Sequence, residues 1–323
     1  MDEFGLIEEF FTRPARRAEV VLGIGDDAAL LALAGATSML AVTTDTLVEG
    51  VHFRPSAQSF DVGYKALAVN VSDLAAMGAR PLAFLLSLAV PMADRTWLAG
   101  FRDGLFTLAD AVGLDLIGGD TVRGPLAVTI TALGSVAPGA ALRRDGARPG
   151  DRVYVSGLLG EAALGFLLRA GRLSLPSKFH ESVLTRLDRP WPRIHEGQAL
   201  IGIASAAIDI SDGLVADLGH ILKASGVGAE LDLRRLPLSE AYDAAFATVG
   251  YDPAIAFGDD YELCFTVPPE RVQALAGIAP HPPCGFHYIG DIVAGAGLTL
   301  RDGQGVYTPA QAGYNHFDGP SPL

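Results

Sequence analysis

Lysine is scarce in this chain: 3 lysines stand beside 21 arginines among 323 residues. Acids outnumber bases 37 to 24, for a formal net charge of -13. Non-specific nucleic-acid binding needs a basic surface, so that class is disfavoured. Cysteine is scarcer still. Cys264 and Cys284 lack metal-ligand spacing, which argues against a disulfide scaffold and suits a reducing cytosol. No apolar run approaches the ~20 residues of a membrane helix. The most apolar stretch, 82–90, is closed by Pro81 and Pro91. The N-terminus, MDEFGLIEEFF, is acidic where a signal peptide would be basic. A soluble, cytoplasmic protein is expected, with no nucleic-acid or membrane partner.

The familiar phosphate signatures are also missing. There is no G-x-x-x-x-G-K-[ST], no G-x-G-x-x-G after a strand, no H-R-D with D-F-G, and no G-x-S-x-G elbow. Gly157-Leu-Leu-Gly160 opens a helix and could seat an anion there, or be an ordinary tight turn.

What is present is enough for two cores. Half of the residues are hydrophobic and only 19% are charged, so disorder is excluded. Strands are expected at 39–43, 82–89, 114–117, 127–136, 152–156, 206–210, 262–267 and 288–292. Helices are expected at 61–77, 94–112 (closed by Gly113), 161–170 and 214–224 (closed by Gly226). The stretch 317–323 reads as a frayed tail. A basic, Gly/Pro-containing stretch around Pro138-Gly139, Arg143-Arg144 and Pro149-Gly150 reads as a boundary. The expected class is mixed α/β in two domains, 1–138 and 151–323, with 139–150 as linker.

The informative pattern is a series of aspartates at strand ends beside small residues. They are Gly25-Asp26-Asp27, Thr43-Thr44-Asp45-Thr46, Asn70-Val71-Ser72-Asp73, Gly118-Gly119-Asp120, Asp209-Ile210-Ser211-Asp212-Gly213 and Gly258-Asp259-Asp260. Magnesium takes a few carboxylates plus substrate phosphates, which scattered hard donors suit. Each aspartate taken alone is more often a turn residue or a cap. Asp212 could cap the helix near Leu214, and Asp26 could be a ligand or a turn residue. Asp73 is different. It sits three residues after Asn70 inside an apolar helix, on the same face, where a carboxylate is costly without a cation. Asp209 likewise interrupts a β-branched strand. Arg143 and Arg144 could be a phosphate clamp or a solvated pair. His52 could meet phosphate or pack structurally, and Tyr314 and Phe317 could stack on a ring or dock the chain end.

Taken together, GIGDDAA, TTDTLVEGVHF, YKALAVNVSDLAAMGARP, LIGGDTVRGP, IDISDGLVADLGHI and DDYELCF resemble the thiamine-monophosphate kinase family, within the aminoimidazole ribonucleotide synthase superfamily. The resemblance runs from about residue 20 to 317. It implies that ATP and thiamine monophosphate give ADP and thiamine diphosphate, at a cleft between two α/β domains. It implies a homodimer whose N-terminal strands close a shared barrel, with a sandwich-like C-terminal domain. It also implies magnesium ligands at Asp27, Thr43, Thr44, Asp45, Asp73, Asp120, Asp209 and Asp212. ATP contacts would fall at Gly119, Asp120, Arg144 and Ser211, and thiamine phosphate contacts at His52, Asp259 and Tyr314. One departure stands out: the family often has Gly-Gly-Glu-Asp-Tyr-Glu-Leu where this chain has Phe257-Gly258-Asp259-Asp260-Tyr261-Glu262-Leu263. The first carboxylate is one methylene shorter here. A selenophosphate synthetase would show an N-terminal cysteine, and a hydrogenase-maturation relative would end in cysteine. A nucleotide-binding regulator that lost turnover would not need every metal ligand.

Overall fold

The computed structural model describes Ile7 and residues 18–32, 35–278 and 284–315. Phe317 and the expected tail lie outside these. Two compact units divide the chain. The first holds Met1–Leu74, Ala79–Gly139 and Asn315–Leu323; the second holds Ala75–Gly78 and Ala140–Tyr314. No described helix is long and apolar enough to cross a membrane.

In the first unit, the described strands are β1 (Val20–Leu22), β2 (Ala29–Ala32), β3 (Met39–Val48), β4 (Arg80–Val90), β5 (Asp115–Arg123) and β6 (Ala127–Val136). They form one open sheet in the order β1-β2-β3-β6-β4-β5. Only β4 and β5 pair in parallel, across the helix Arg95–Val112 that joins them. Asp94 caps that helix by accepting the N–H groups of Thr96 and Trp97 at 2.8 and 3.2 Å, and the left-handed Gly113 ends it. The helix Ser59–Ala76 lies against it with glycines at the crossing. A Cβ at Gly63 would stand 2.1 Å from the Phe101 carbonyl, and one at Gly104 would stand 1.8 Å from that of Phe60. Backbone-to-backbone packing of this kind leaves room for no other residue type.

Two strands run five residues or more past their expected ends. β3 continues through Thr43-Thr44-Asp45-Thr46 because β6 pairs with it residue for residue, from Met39↔Val136 to Val48↔Ala127. β5 continues through Gly118-Gly119-Asp120, past the expected strand end at 117. Gly119 is opposite Leu86, and a Cβ there would come within 1.8 Å of the Leu86 carbonyl. The glycines therefore permit a close strand approach, and do not mark a turn. Asp45 and Asp120 therefore lie within strands and not at their ends.

The second unit adds β7 (Arg152–Ser156), β8 (Ala206–Asp209), β9 (Gly228–Asp232), β10 (Leu263–Val267), β11 (Phe286–Val293), β12 (Gly297–Arg301) and β13 (Val306–Tyr307). Their order is β13-β12-β9-β11-β7-β10-β8, antiparallel except for β9 with β12. One face carries a core that includes Val153, Val155, Ile208, Leu218, Ile221 and Tyr242. Residues of the expected linker pack into this unit. The Ala147 N–H donates to Ser225 Oγ at 3.1 Å, and Gly146 lies against the Ser205 carbonyl.

Glu262, just before β10, is fully buried. Arg193 Nε and Ser156 Oγ each donate to its Oε2 at 2.6 Å, and Arg186 Nη2 donates to Oε1 at 2.7 Å. Burial opposes its ionisation, but the two guanidinium groups and these hydrogen bonds outweigh that. They hold the carboxyl below its usual range. A carboxyl depressed in the folded state stabilises above its unfolded pKa, and that stability is lost as pH falls through the folded value. Glu262→Gln is expected to lower unfolding free energy by roughly 3–5 kcal/mol at pH 7. In urea titrations the gap to wild type should narrow as pH drops below the carboxylate range. A gap independent of pH would contradict this role for the charge.

Candidate metal and phosphate-binding residues

In the first unit the pleat of β3 sorts its motif onto two faces. Thr43 and Asp45 share one, and Thr44 and Thr46 take the other. Thr44 donates to the Ile130 carbonyl at 3.0 Å and pairs with Thr131 Oγ1 at 3.1 Å, while Thr46 pairs with Thr129 at 2.8 Å. The Thr44 hydroxyl is thus spent along β6 and does not join Thr43 and Asp45.

Asp73, on the helix Ser59–Ala76, accepts a short hydrogen bond from the Thr43 hydroxyl. Asn70, one turn earlier and fully buried, accepts the Asp45 N–H through Oδ1 at 2.9 Å and donates through Nδ2 to the Ala66 carbonyl at 3.1 Å. The sequence had placed Asn70 on the face of Asp73; its bond to β3 became visible only in the fold. Asp27 is buried, and an oxygen of its carboxylate lies within 4.8 Å of one from Asp73. Asp26 Oδ1 accepts the Asp27 N–H at 3.0 Å. Two converging carboxylates with no imidazole or thiolate among these donors are a hard-oxygen set, which fits magnesium.

His52 sits in the tight turn after β3. Its N–H donates to the Val48 carbonyl at 3.0 Å, and its Nδ1 accepts the Val48 N–H at 2.9 Å. An accepting Nδ1 carries no proton, so Nε2 carries it and is a donor. Asp120 is exposed on β5 beside Gly119, and its Oδ1 accepts the Thr121 N–H at 2.9 Å.

In the second unit, β8 delivers Asp209, buried, at its end; residues 210–213 then turn into the helix Leu214–Ser225. Asp212 does not cap that helix. The cap position is Gly213, without a side-chain bond, and it is Asp217 Oδ2 that accepts the N–H groups of Asp212 and Gly213 at 3.1 and 3.0 Å. Sequence reasoning missed Asp217, although the signal was there. An acid between Leu214, Leu218 and Ile221 on an apolar helix face poses the same question as Asp73. Burial above all, then the charges of Asp212 and Asp209, push the Asp217 carboxyl well above its usual range; the Asp212 N–H and Arg144 pull the other way.

The same turn gathers three more expected residues. Ser211 accepts the Asp259 N–H at 2.8 Å through its carbonyl, and the Asp212 carbonyl accepts the Tyr314 N–H at 2.9 Å. Asp259 and Tyr261 both have positive φ, 64° and 50°, and a Cβ at Gly258 would stand 2.1 Å from the Ser211 carbonyl. Two non-glycine residues in the left-handed region mark a strained, over-determined loop. The anion seat at Gly157–Gly160 is occupied by the protein itself: Asp260, buried, accepts the Gly160 N–H with both oxygens at 3.0 and 3.1 Å. Of the arginine pair, Arg143 forms a 2.7 Å ion pair with Asp145 at the surface. Arg144 acts electrostatically on Asp217, and its carbonyl accepts Ser225 Oγ at 2.8 Å.

Replacement of Asn70 by Ala leaves the half-buried Asp45 N–H without this acceptor. A loss of about 1–3 kcal/mol is expected in denaturant unfolding. Asn70→Asp, which restores an acceptor beside Asp45 and Asp73 but adds a third charge, should recover it only when divalent cation is added. Equal stability of Asn70→Ala and wild type would contradict the assignment.

Two family descriptions cover the chain: AIR synthase related protein, N-terminal domain, over residues 25–136, and AIR synthase related protein, C-terminal domain, over residues 148–303. The chain is 47% identical to thiamine-monophosphate kinase of Escherichia coli (strain K12), covering 98% of this chain and 99% of that protein. It is 36% identical to the enzyme of that name from Bacillus subtilis (strain 168), over 98% and 100%. Among solved structures, thiamine-monophosphate kinase from Stenotrophomonas maltophilia K279a superposes with a TM-score of 0.77 at 46% identity, covering 92% of this chain and 96% of that one. AaThiL complexed with AMPPCP and TMP superposes at 0.84 with 33% identity, over 98% and 97%. With hard oxygen donors on both units and this likeness along its whole described length, the chain belongs to the thiamine-monophosphate kinase family.

Proposed function

We propose that this chain phosphorylates thiamine monophosphate with ATP and magnesium, giving thiamine diphosphate and ADP. The observation that carries this proposal is the 47% identity to a thiamine-monophosphate kinase across 98% of the chain. The oxygen-donor sets supply its chemistry, and a relative that holds AMPPCP, an ATP analogue, together with TMP supports the pair of substrates.

The acceptor is a phosphate monoester with a second pKa of about 6, so it is largely ionised at neutral pH and needs no general base. One of its oxygens attacks the γ-phosphorus of ATP in line. The bond from that phosphorus to the β–γ bridging oxygen breaks, and ADP leaves with the electron pair. What opposes the step is repulsion between two polyanions, and positioning and charge neutralisation are what such enzymes supply. Asp27, Thr43, Thr44, Asp45, Asp73 and Asp120 in the first unit, with Asp209 and Asp212 in the second, would hold magnesium. Bound magnesium supplies neutralisation of phosphate charge. Gly119, Arg144 and Ser211 would contact ATP, with the Arg144 guanidinium meeting phosphate. His52 would donate from Nε2 to the thiamine phosphate, with Asp259 and Tyr314 at the same substrate.

We further propose a cytoplasmic homodimer that joins sheets through β5. All nine residues of this edge strand are exposed, including Leu116, Ile117 and Val122, and an open apolar edge is a pairing template. A barrel closed by strands of two copies would cover it.

Two experiments follow. Purified protein with ATP, magnesium and thiamine monophosphate should yield thiamine diphosphate by chromatography, and Asp45→Asn or Asp120→Asn should cut turnover by ~100-fold or more while leaving the fold intact. Tight ATP binding without product would favour a regulator, and near-normal rates in both variants would remove the metal assignment. Light scattering should give a dimer mass for wild type and a monomer mass for Ile117→Asp; an unchanged dimer would exclude β5 as the interface.

A further inference from the structure

We propose that Asp217 is a positioning residue for phosphoryl transfer, acting as the hydrogen-bond acceptor that fixes the turn carrying Asp212. This rests on the kinase assignment above and names a residue beyond those assigned to ATP, metal or substrate.

The turn it governs carries Asp209, Ser211 and Asp212. At its end the chain enters a helix whose first N–H groups have no partner within the helix. Gly213 offers no side chain to cap them, and none could be added cheaply. Its φ is 117°, and a Cβ would stand 3.0 Å from the Ala256 carbonyl carbon. Asp217 supplies the acceptor from one turn inside the helix. Its Oδ2 takes both the Asp212 and Gly213 N–H groups, while its own N–H donates to the Gly213 carbonyl at 2.9 Å. Residues 213 and 217 therefore bind each other twice, in opposite senses. A slip of this helix end would move Asp212, and with it the carbonyls of Ser211 and Asp212 that hold Asp259 and Tyr314.

The place of the acceptor matters most for this task. Asp217 is 2% exposed, so its acceptor oxygen is fixed by the packing around it. Both bonds need an acceptor oxygen at this one place, whatever group carries it. Asparagine has that oxygen. Glutamate has the charge but places the acceptor one methylene farther out.

Comparison of Asp217→Asn with Asp217→Glu and Asp217→Ala separates the two roles. Asn is expected to keep kcat and the magnesium concentration for half-maximal rate within about threefold of wild type. Glu and Ala are expected to raise that magnesium concentration roughly 10- to 100-fold, with partial recovery of rate at high magnesium. Hydrogen exchange, read without turnover, should show the Asp212 and Gly213 amides protected in wild type and Asn and unprotected in Glu and Ala. Should Ala fail to fold, the Asn and Glu pair still decides. An inactive Asn beside an active Glu would assign the role to charge and overturn the proposal, as would wild-type magnesium dependence in Glu. Failure of the wild type to make thiamine diphosphate would instead overturn the kinase assignment, leaving the exchange result to judge the turn.

Discussion

Like charges have to be held together before any cation arrives. Two carboxylates within 4.8 Å, as in Asp27 and Asp73, repel by about 3 kcal/mol at an effective dielectric of 20. A chain that builds such a pair needs neutral hydrogen bonds to fix the carboxylates and the backbone beneath them. The first unit does so with the Thr43 hydroxyl on Asp73 and the Asn70 amide on the Asp45 backbone. In the second, Asp217 accepts the backbone N–H groups of Asp212 and Gly213. Rigid elements bear these groups: one long strand, one apolar helix, one strand-to-helix turn. The energetic logic is that of preorganisation, in which the fold meets the repulsion in advance so that ligand binding relieves it.

Where the sequence was legible, single residues had an unusual neighbourhood. Asp73 stood out because an acid within an apolar helix has few reasons to be there, and the fold gives it a threonine hydroxyl and a nearby carboxylate. The helix 95–112 could be read from Asp94 and Gly113 because caps are local chemistry. What could not be read were the pairings. Gly118-Gly119 looks like the end of a strand until the Leu86 carbonyl occupies the space where a side chain would be. The helix entry at Gly157–Gly160 looks like a phosphate seat until Asp260, a hundred residues later, fills it. Thr43 and Thr44 look equivalent until strand pairing sends their hydroxyls to opposite faces. Each of these depends on a long-range partner that periodicity and spacing do not carry.

The departure at Asp259 gains a physical setting. The loop 258–262 is fastened from both sides: the Asp259 and Tyr261 N–H groups go to Ser211 and Ile210, while the carboxylates of Asp260 and Glu262 go to Gly160 and to Arg186, Arg193 and Ser156. Backbone so fully constrained can hold Asp259 in the left-handed region, where aspartate is among the more tolerant residues. The shorter acid therefore sits on a backbone already fixed by its neighbours.

The central claim is that these aspartates hold divalent metal for nucleotide binding. Manganese, a scattering substitute for magnesium, tests it most directly in crystals grown with AMPPCP and thiamine monophosphate. Anomalous peaks are expected within coordination distance of Asp27, Asp45 and Asp73, and absent at Asp217. A bound nucleotide with no peak beside Asp27 and Asp73 would contradict the account.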